Sequence, residues 1–339
     1  MLLSDLDFPF DPALVADRPM EPRDQARLLV VPQHGGECSH RRVADLPDLL
    51  TPGDLLVVND TKVMAARLSG RRRPGGGRVE LVLLREVEAG IWEVLLKGAG
   101  RPGQVIELGR GATATILEGT PSHTVVRLAS PCPVRELLDE LGKMPLPPYI
   151  KRSPTDADRI WYQSVFARVE GAVAAPTASL HFTAALLKNL EVTGVQVMPV
   201  TLHVGPGTFR PIRTPNVEDH VLAAEWKEVP AGTAETVRRT KARGGRVVAV
   251  GTTVVRALES SVDLAGAVRA KSGETDLFIL PGYRFRAVDA LMTNFHHPRM
   301  TLLLLVSAFG GLERLRGAYR EAVAARYRLY SYGDAMLIL

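Results

Sequence analysis

Short apolar runs divided by turn residues open the chain: residues 28–31, then 55–58 directly after the Pro52-Gly53-Asp54 turn. From 69 to 130 the pattern changes to short alternating segments at 79–84, 91–96, 105–108, 112–117 and 124–128, most of them set apart by glycines. Short, regularly spaced strands with no helical period predict a small closed or sandwiched β-domain. A helical turn over 134–141 leads into Met144-Pro145-Leu146-Pro147-Pro148-Tyr149. That run can enter neither a helix interior nor a central strand, so it reads as a rigid crossing between domains. Beyond it, helices are predicted at 183–191, 231–243, 253–261 and 312–328, and strands at 195–203, 247–251 and 288–292. This is α/β rhythm, with the strands expected to run parallel. The first 65 residues have strand character but no core of their own. They should pair with the α/β part, which makes the β-domain an insertion. Rhythm alone does not separate an open sheet from a barrel; a barrel would place its chemistry on loops at the strands' C-terminal ends.

Composition narrows the setting. At 339 residues two domains are expected, and 46% hydrophobic against 23% charged residues supports a large core. Cys38 and Cys132 lie far apart with no C-x-x-C pair, which speaks against a disulfide framework or a zinc knuckle. The opening Met1-Leu2-Leu3-Ser4-Asp5 carries an acid where a signal peptide needs a base. The apolar run 302–309 is far shorter than the roughly 20 residues of a membrane helix. A cytoplasmic location is expected by exclusion. A net charge of +5 and a pI near 9.3 permit a polyanionic partner without demanding one. Arg67, Arg71, Arg72, Arg73 and Arg78 surround the Pro74-Gly75-Gly76-Gly77 turn, and Arg314, Arg316, Arg320, Arg326 and Arg328 group near the end. The ordinary reading of each group is a solvated face; the first is placed on a loop, where positioned arginines more often serve recognition.

Candidate chemistry concentrates between 171 and 209. Gly171-Ala172-Val173-Ala174-Ala175-Pro176-Thr177-Ala178-Ser179-Leu180-His181-Phe182-Thr183 is built of small residues, ends in a histidine and precedes a helix. Small side chains let backbone approach a ligand, and a helix N-terminus offers N–H groups to an anion; tight packing is the plainer alternative. In Val200-Thr201-Leu202-His203-Val204-Gly205-Pro206-Gly207-Thr208-Phe209, His203 ends a strand beside a Gly-Pro-Gly loop, where a general base or substrate ligand could operate. A buried strand, Val247-Val248-Ala249-Val250, runs through Gly251-Thr252-Thr253 into a helix, which suits an anion such as a carboxylate. It lacks the lysine of a P-loop and the glycines of a dinucleotide fold. Arg256 and Glu259, one turn apart on that helix, would ordinarily be an intrahelical salt bridge. Asn59-Asp60-Thr61-Lys62 and Asn294-Phe295-His296-His297 each follow a strand, the expected position of catalytic loops. Ser331-Tyr332-Gly333-Asp334 is read as a turn with a capping acid.

In order along the chain, Glu21-Pro22-Arg23-Asp24, the run from Pro52-Gly53-Asp54 through Asn59-Asp60-Thr61-Lys62-Val63, and the 144–151, 171–183, 201–210, 251–260, 293–298 and 332–339 segments resemble the S-adenosylmethionine:tRNA ribosyltransferase-isomerase family of queuosine biosynthesis. The resemblance implies a distorted, barrel-like α/β large domain (1–68 plus 147–339) with an inserted small β-barrel (69–146). It implies transfer and isomerisation of the ribosyl group of S-adenosylmethionine onto the aminomethyl-7-deazaguanine base in a tRNA anticodon. The products are epoxyqueuosine-tRNA, adenine and methionine. S-adenosylmethionine is then a co-substrate, and neither metal nor prosthetic group is expected. His203, His181 and Asp60 are the candidate bases. Thr177, Gly205, Gly207, Gly251, Thr252, Thr253, Arg256, Asn294 and His296 are the candidate substrate contacts, and Arg71, Arg72 and Arg73 the candidate tRNA contacts. The chain departs from the family's usual runs at Ser179, Ala223, Ile160, His297 and Met300. Those departures leave two other readings: a diverged paralogue using S-adenosylmethionine on another acceptor, or a tRNA-binding protein without catalysis.

Overall fold

The structure is a computed structural model, and it describes residues 3–8, 10–98, 100–120, 124–205, 207 and 212–339. Pro206, Thr208 and Phe209 of the expected active-site stretch lie outside the described residues. Nine strands form one mixed sheet in the order Lys271–Thr275, Glu225–Val229, Gln196–Leu202, Leu55–Asn59, Val247–Val250, Ala290–Asn294, Ala335–Ile338, Arg27–Val31, Ser39–Arg42. The four strands from Gln196–Leu202 to Ala290–Asn294 are mutually parallel. Strands join this centre antiparallel on both sides, and of the outer pairs only Arg27–Val31 with Ala335–Ile338 is parallel, so the expectation of a parallel sheet holds for the centre and that one pair. Leu55–Asn59, Val247–Val250 and Ala290–Asn294 are buried along their whole length, as strands covered on both faces must be. Alternate residues feed opposite cores: Leu55 and Val57 pack with one cluster, Leu56 and Val58 with the other.

The second unit is a closed antiparallel barrel of Arg67–Arg73, Arg78–Glu88, Ile91–Leu96, Val105–Gly109, Ala112–Gly119 and Thr124–Ala129. Leu68, Leu81, Leu83, Ile106 and Ala114 fill it. Its first strand escaped the pattern because Arg67-Leu68-Ser69-Gly70-Arg71-Arg72-Arg73 has one apolar side chain. Gly70 is required there, since a Cβ would lie 2.6 Å from both the Glu107 carbonyl and Ile106 Cγ2. The chain enters and leaves the barrel side by side: the Arg67 amide donates to the Lys143 carbonyl at 3.1 Å and the Lys143 amide returns the bond at 2.9 Å. Val173 is buried in the barrel's own core cluster, which brings the 171–183 segment against the barrel.

Other boundaries moved for local reasons. The 183–191 helix is Ala184–Val192, with Thr183 as N-cap accepting from the Leu186 amide at 3.1 Å. The helix expected to 328 spans Leu312–Ala324; Arg326 turns left-handed at φ 55° and the Tyr327 amide folds back onto the Ala322 carbonyl. The apolar run at 302–309 is the helix Thr301–Gly310. Among the described residues no helix is long and apolar enough to cross a membrane.

Candidate active site

The four central parallel strands end side by side, and the residues at or just past those ends are His203, Asp60, Gly251 and Asn294. This is where an α/β sheet opens a crevice. Asn59 holds the crevice in shape. Past the Val200–Asn59 pair the backbone ladder stops, and the Asn59 side chain continues it. Its Oδ1 accepts from the amides of Leu202 and Thr61, each at 3.1 Å, and its Nδ2 donates to the Leu202 carbonyl at 2.9 Å and to Thr253 Oγ1 at 3.2 Å. One buried amide thereby ties together the end of the Gln196–Leu202 strand, Thr61 and the first turn of the Thr252–Glu259 helix.

Asp60 is buried and committed. Its Oδ1 accepts from Thr201 Oγ1 at 2.6 Å, and its Oδ2 from the Arg168 guanidinium at 2.7 and 3.1 Å. His203 is half-buried and its Nδ1 lies 2.8 Å from Thr61 Oγ1. Its ring stacks on Trp226 with centroids 5.1 Å apart and a 20° tilt. A Cβ on Gly171 would lie 2.6, 2.7 and 2.8 Å from Nε2, Cε1 and Cδ2. Three near-equal distances put that carbon over the ring face and out of line with the Nε2 lone pair. Burial pushes the His203 imidazole below its ordinary value, opposed in part by the charge of Asp60.

His181 is different. Asn294 Nδ2 donates to the Tyr330 carbonyl at 3.1 Å, a bond that the amide oxygen could not make, and Asn294 Oδ1 accepts from Thr177 Oγ1 at 2.9 Å. The amide orientation is therefore settled, and its nitrogen also faces His181 Nε2 at 3.2 Å. His181 Nε2 is an acceptor already in use, which leaves Nδ1 carrying the proton. Burial, with the charges of Arg328 and Arg23, lowers this histidine to about 4. His181 is a neutral, fixed group. His296 is likewise lowered to about 4 by burial, with Nε2 2.8 Å from Thr293 Oγ1 and its backbone amide donating to Tyr319 Oη.

Thr177, Gly251, Thr252, Thr253, Asn294 and His296 do converge, on a cleft of ≈ 30 Å³. That is room for about one water, so admitting a nucleoside requires the lining side chains to part. Arg256 does not reach it. Its Nη1 pairs with Glu225, its Nε donates to the Leu277 carbonyl at 3.0 Å and its Nη2 to the Thr275 carbonyl at 3.1 Å. With its nitrogens spent on protein acceptors, it positions Glu225, which in turn accepts from the Gly205 amide at 2.7 Å. Nor does Arg256 bridge to Glu259, which accepts from the amides of Arg286, Ala287 and Val288. Among the described residues no group of three or more His, Cys, Asp or Glu side chains is arranged to hold a metal ion.

The arginine triplet is also divided. Arg71, Arg72 and Arg73 lie on a strand and not on a loop, and its alternation exposes Arg71 and Arg73 while Arg72 is half-buried, with its Nη2 beside Gly98. Arg71, Arg73, Arg78 and Lys97 line an open groove on the barrel.

A family model described as "Queuosine biosynthesis protein" matches residues 3–338. The chain belongs to this family. Curated relatives named S-adenosylmethionine:tRNA ribosyltransferase-isomerase include one from Moorella thermoacetica, 50% identical with 100% of both chains covered. Another, from Xanthomonas oryzae pv. oryzae, is 49% identical over 100% of this chain and 97% of its own. A crystal structure of S-adenosylmethionine tRNA ribosyltransferase from Thermotoga maritima is 35% identical, covers 99% of this chain and 100% of its own, and superposes with a TM-score of 0.57. Within the queuosine biosynthesis family, the departures fall on contrasting ground. Ile160, Ala223 and His297 are exposed, whereas Met300 and Ser179 are buried, the latter with its hydroxyl unpartnered. Asn59, Thr61, Gly171, Glu225 and Trp226 were not singled out as site residues from sequence. Asn59 and Thr61 stand in the Asn59-Asp60-Thr61 run, and that run was their only signal.

Proposed function

We propose that this protein is an S-adenosylmethionine-dependent tRNA ribosyltransferase-isomerase that makes epoxyqueuosine in the anticodon region of tRNA. The full-length family match carries the reading, and the convergence of the matched motifs on one crevice supports it. The assignment implies a transferase with S-adenosylmethionine as co-substrate, working where tRNA is, in the cytoplasm. The paired crossing at Arg67 and Lys143 supports a large unit of 1–68 plus 147–339 and an inserted barrel at 69–146.

In this reading His203 is the base. A sulfonium acidifies the adjacent C5′ hydrogens; Nε2 takes one from the tautomer in which Nδ1–H donates to Thr61 Oγ1, an arrangement that hydroxyl allows. Asp60, held by Arg168 and Thr201, supplies negative charge near the imidazolium that forms. His181, with Nε2 occupied, serves as a neutral donor through Nδ1. Thr177, Asn294 and the Gly251-Thr252-Thr253 turn hold the co-substrate, the turn facing the methionine carboxylate. Gly205 and Gly207 flank it as backbone contacts, and Arg71 and Arg73 meet tRNA phosphates. Adenine and methionine leave, and the aminomethyl nitrogen takes the sugar.

The test is to incubate the protein with S-adenosylmethionine and tRNA carrying the aminomethyl base, following adenine release and the mass of the base. His203→Ala is expected to slow adenine release by about 10²–10⁴-fold with the fold intact. Because His203 is held below 6.5, the acid limb of kcat/KM should also fall below that pH. Near-normal turnover of a folded His203→Ala protein would remove His203 as the base.

A further inference from the structure

Trp226 is the one aromatic among the large exposed hydrophobic residues described, at 36% exposure. Its position is set by strand register. The His203 amide donates to the Trp226 carbonyl at 2.9 Å, and Trp226 pairs directly with Glu274 on the edge strand. His203, Trp226 and Glu274 therefore form a cross-strand row on one face of the sheet. The two rings stack at 5.1 Å, close to the ~4.8 Å spacing of neighbouring strands. The stack thus runs along the row, and the second face of the indole turns toward Glu274. The Glu274 side chain is 63% exposed, and its nearest cation is Arg85 of the barrel at 3.9 Å. The Glu274 end of the row accordingly lies beside the barrel.

Packing does not account for an indole here. One face steadies His203, the other turns toward the exposed Glu274, and the residue as a whole keeps 36% of its surface open. Of the reaction's two substrates, the small one fits an enclosed cleft, whereas a base carried on a polymer must land at an exposed rim. Enzymes acting on a nucleobase take it out of the stack, lay it against an aromatic ring and read its Watson–Crick edge. We infer that Trp226 is the stacking platform for the unstacked 7-deazaguanine base of tRNA, and that Glu274 accepts from the donor groups on that base's Watson–Crick edge. The inference rests on the transferase reading for the identity of the RNA.

Equilibrium binding tests it without turnover. Wild type, Trp226→Ala, Trp226→Phe and Glu274→Ala are titrated with tRNA carrying the aminomethyl base over a series of salt concentrations, and separately with S-adenosylmethionine. Trp226→Ala should weaken tRNA binding about tenfold, and Trp226→Phe should restore most of it. The salt slope should stay that of wild type, because stacking on a base releases no counterions. Unchanged affinity for S-adenosylmethionine serves as the control for folding. Glu274→Ala should weaken tRNA carrying this base, which offers N1–H and its amino group, more than a tRNA with adenine at that position, which offers an amino group alone. The inference is overturned if Trp226→Ala binds tRNA within twofold of wild type, or if the loss falls on S-adenosylmethionine instead. Failure of the transferase reading looks different: wild type then releases no adenine in the presence of this tRNA.

Discussion

At residue scale the most constrained position in the crevice is Gly171. Its φ of 148° is one that side-chain-bearing residues rarely adopt, and the absent Cβ is what lets the His203 ring lie where it does. Gly171→Ala is expected to displace the imidazole and to reduce turnover by at least about tenfold, since small misplacements of a reacting group are costly. It should also destabilise the fold by about 1–3 kcal/mol. A variant crystal structure with an unmoved His203 ring, or full turnover, would contradict this. Residue identity also separates the two histidines that looked alike in sequence. His181 is held by an amide whose orientation the Tyr330 carbonyl dictates, and His203 by a hydroxyl that permits either tautomer.

At the scale of elements, strand alternation decides what the basic run can do. Arg71 and Arg73 share the outer face of Arg67–Arg73, and Arg72 turns the other way. Replacing Arg71 and Arg73 with Ala should weaken tRNA binding and lower the salt slope by about 0.7–0.9 for each phosphate no longer neutralised. Arg72→Ala should leave the slope unchanged. An unaltered slope in the double variant returns the groove to a solvated face. The same rule explains why this strand was not foreseen: with one buried Leu among arginines it shows no hydrophobic period, and it is a strand because Arg78–Glu88 and Val105–Gly109 pair with it.

For the whole molecule, the buried histidines link stability to pH. His181 and His296 are each lowered from 6.5 to about 4 by burial, so both stay neutral in the folded protein while the unfolded chain binds protons below 6.5. Their contribution is complete above 6.5 and is lost as pH falls from there toward 4. By about pH 5, still above the ordinary carboxylate range, each should have cost about 2 kcal/mol. Denaturant midpoints at pH 7 and pH 5 check this, and a flat midpoint across that window would refute it.

The local pattern by itself determined the element types over most of the chain, the β-barrel insertion as an expectation, and the loops on which chemistry gathers. Hydrophobic period, turn residues and small-residue runs act over a few positions and can be read there. The resemblance across the chain likewise told the family, because its motifs are contiguous runs. Partnerships were decided only by tertiary structure. Arg256 and Glu259, one turn apart, ignore each other for acceptors and donors 31 and 27 residues away. Trp226 and His203 meet through strand register, and Asn59 replaces a missing rung between two strands. None of these has a local signature, because each depends on which strands lie beside one another, and that order comes from how the sheet buries both of its faces.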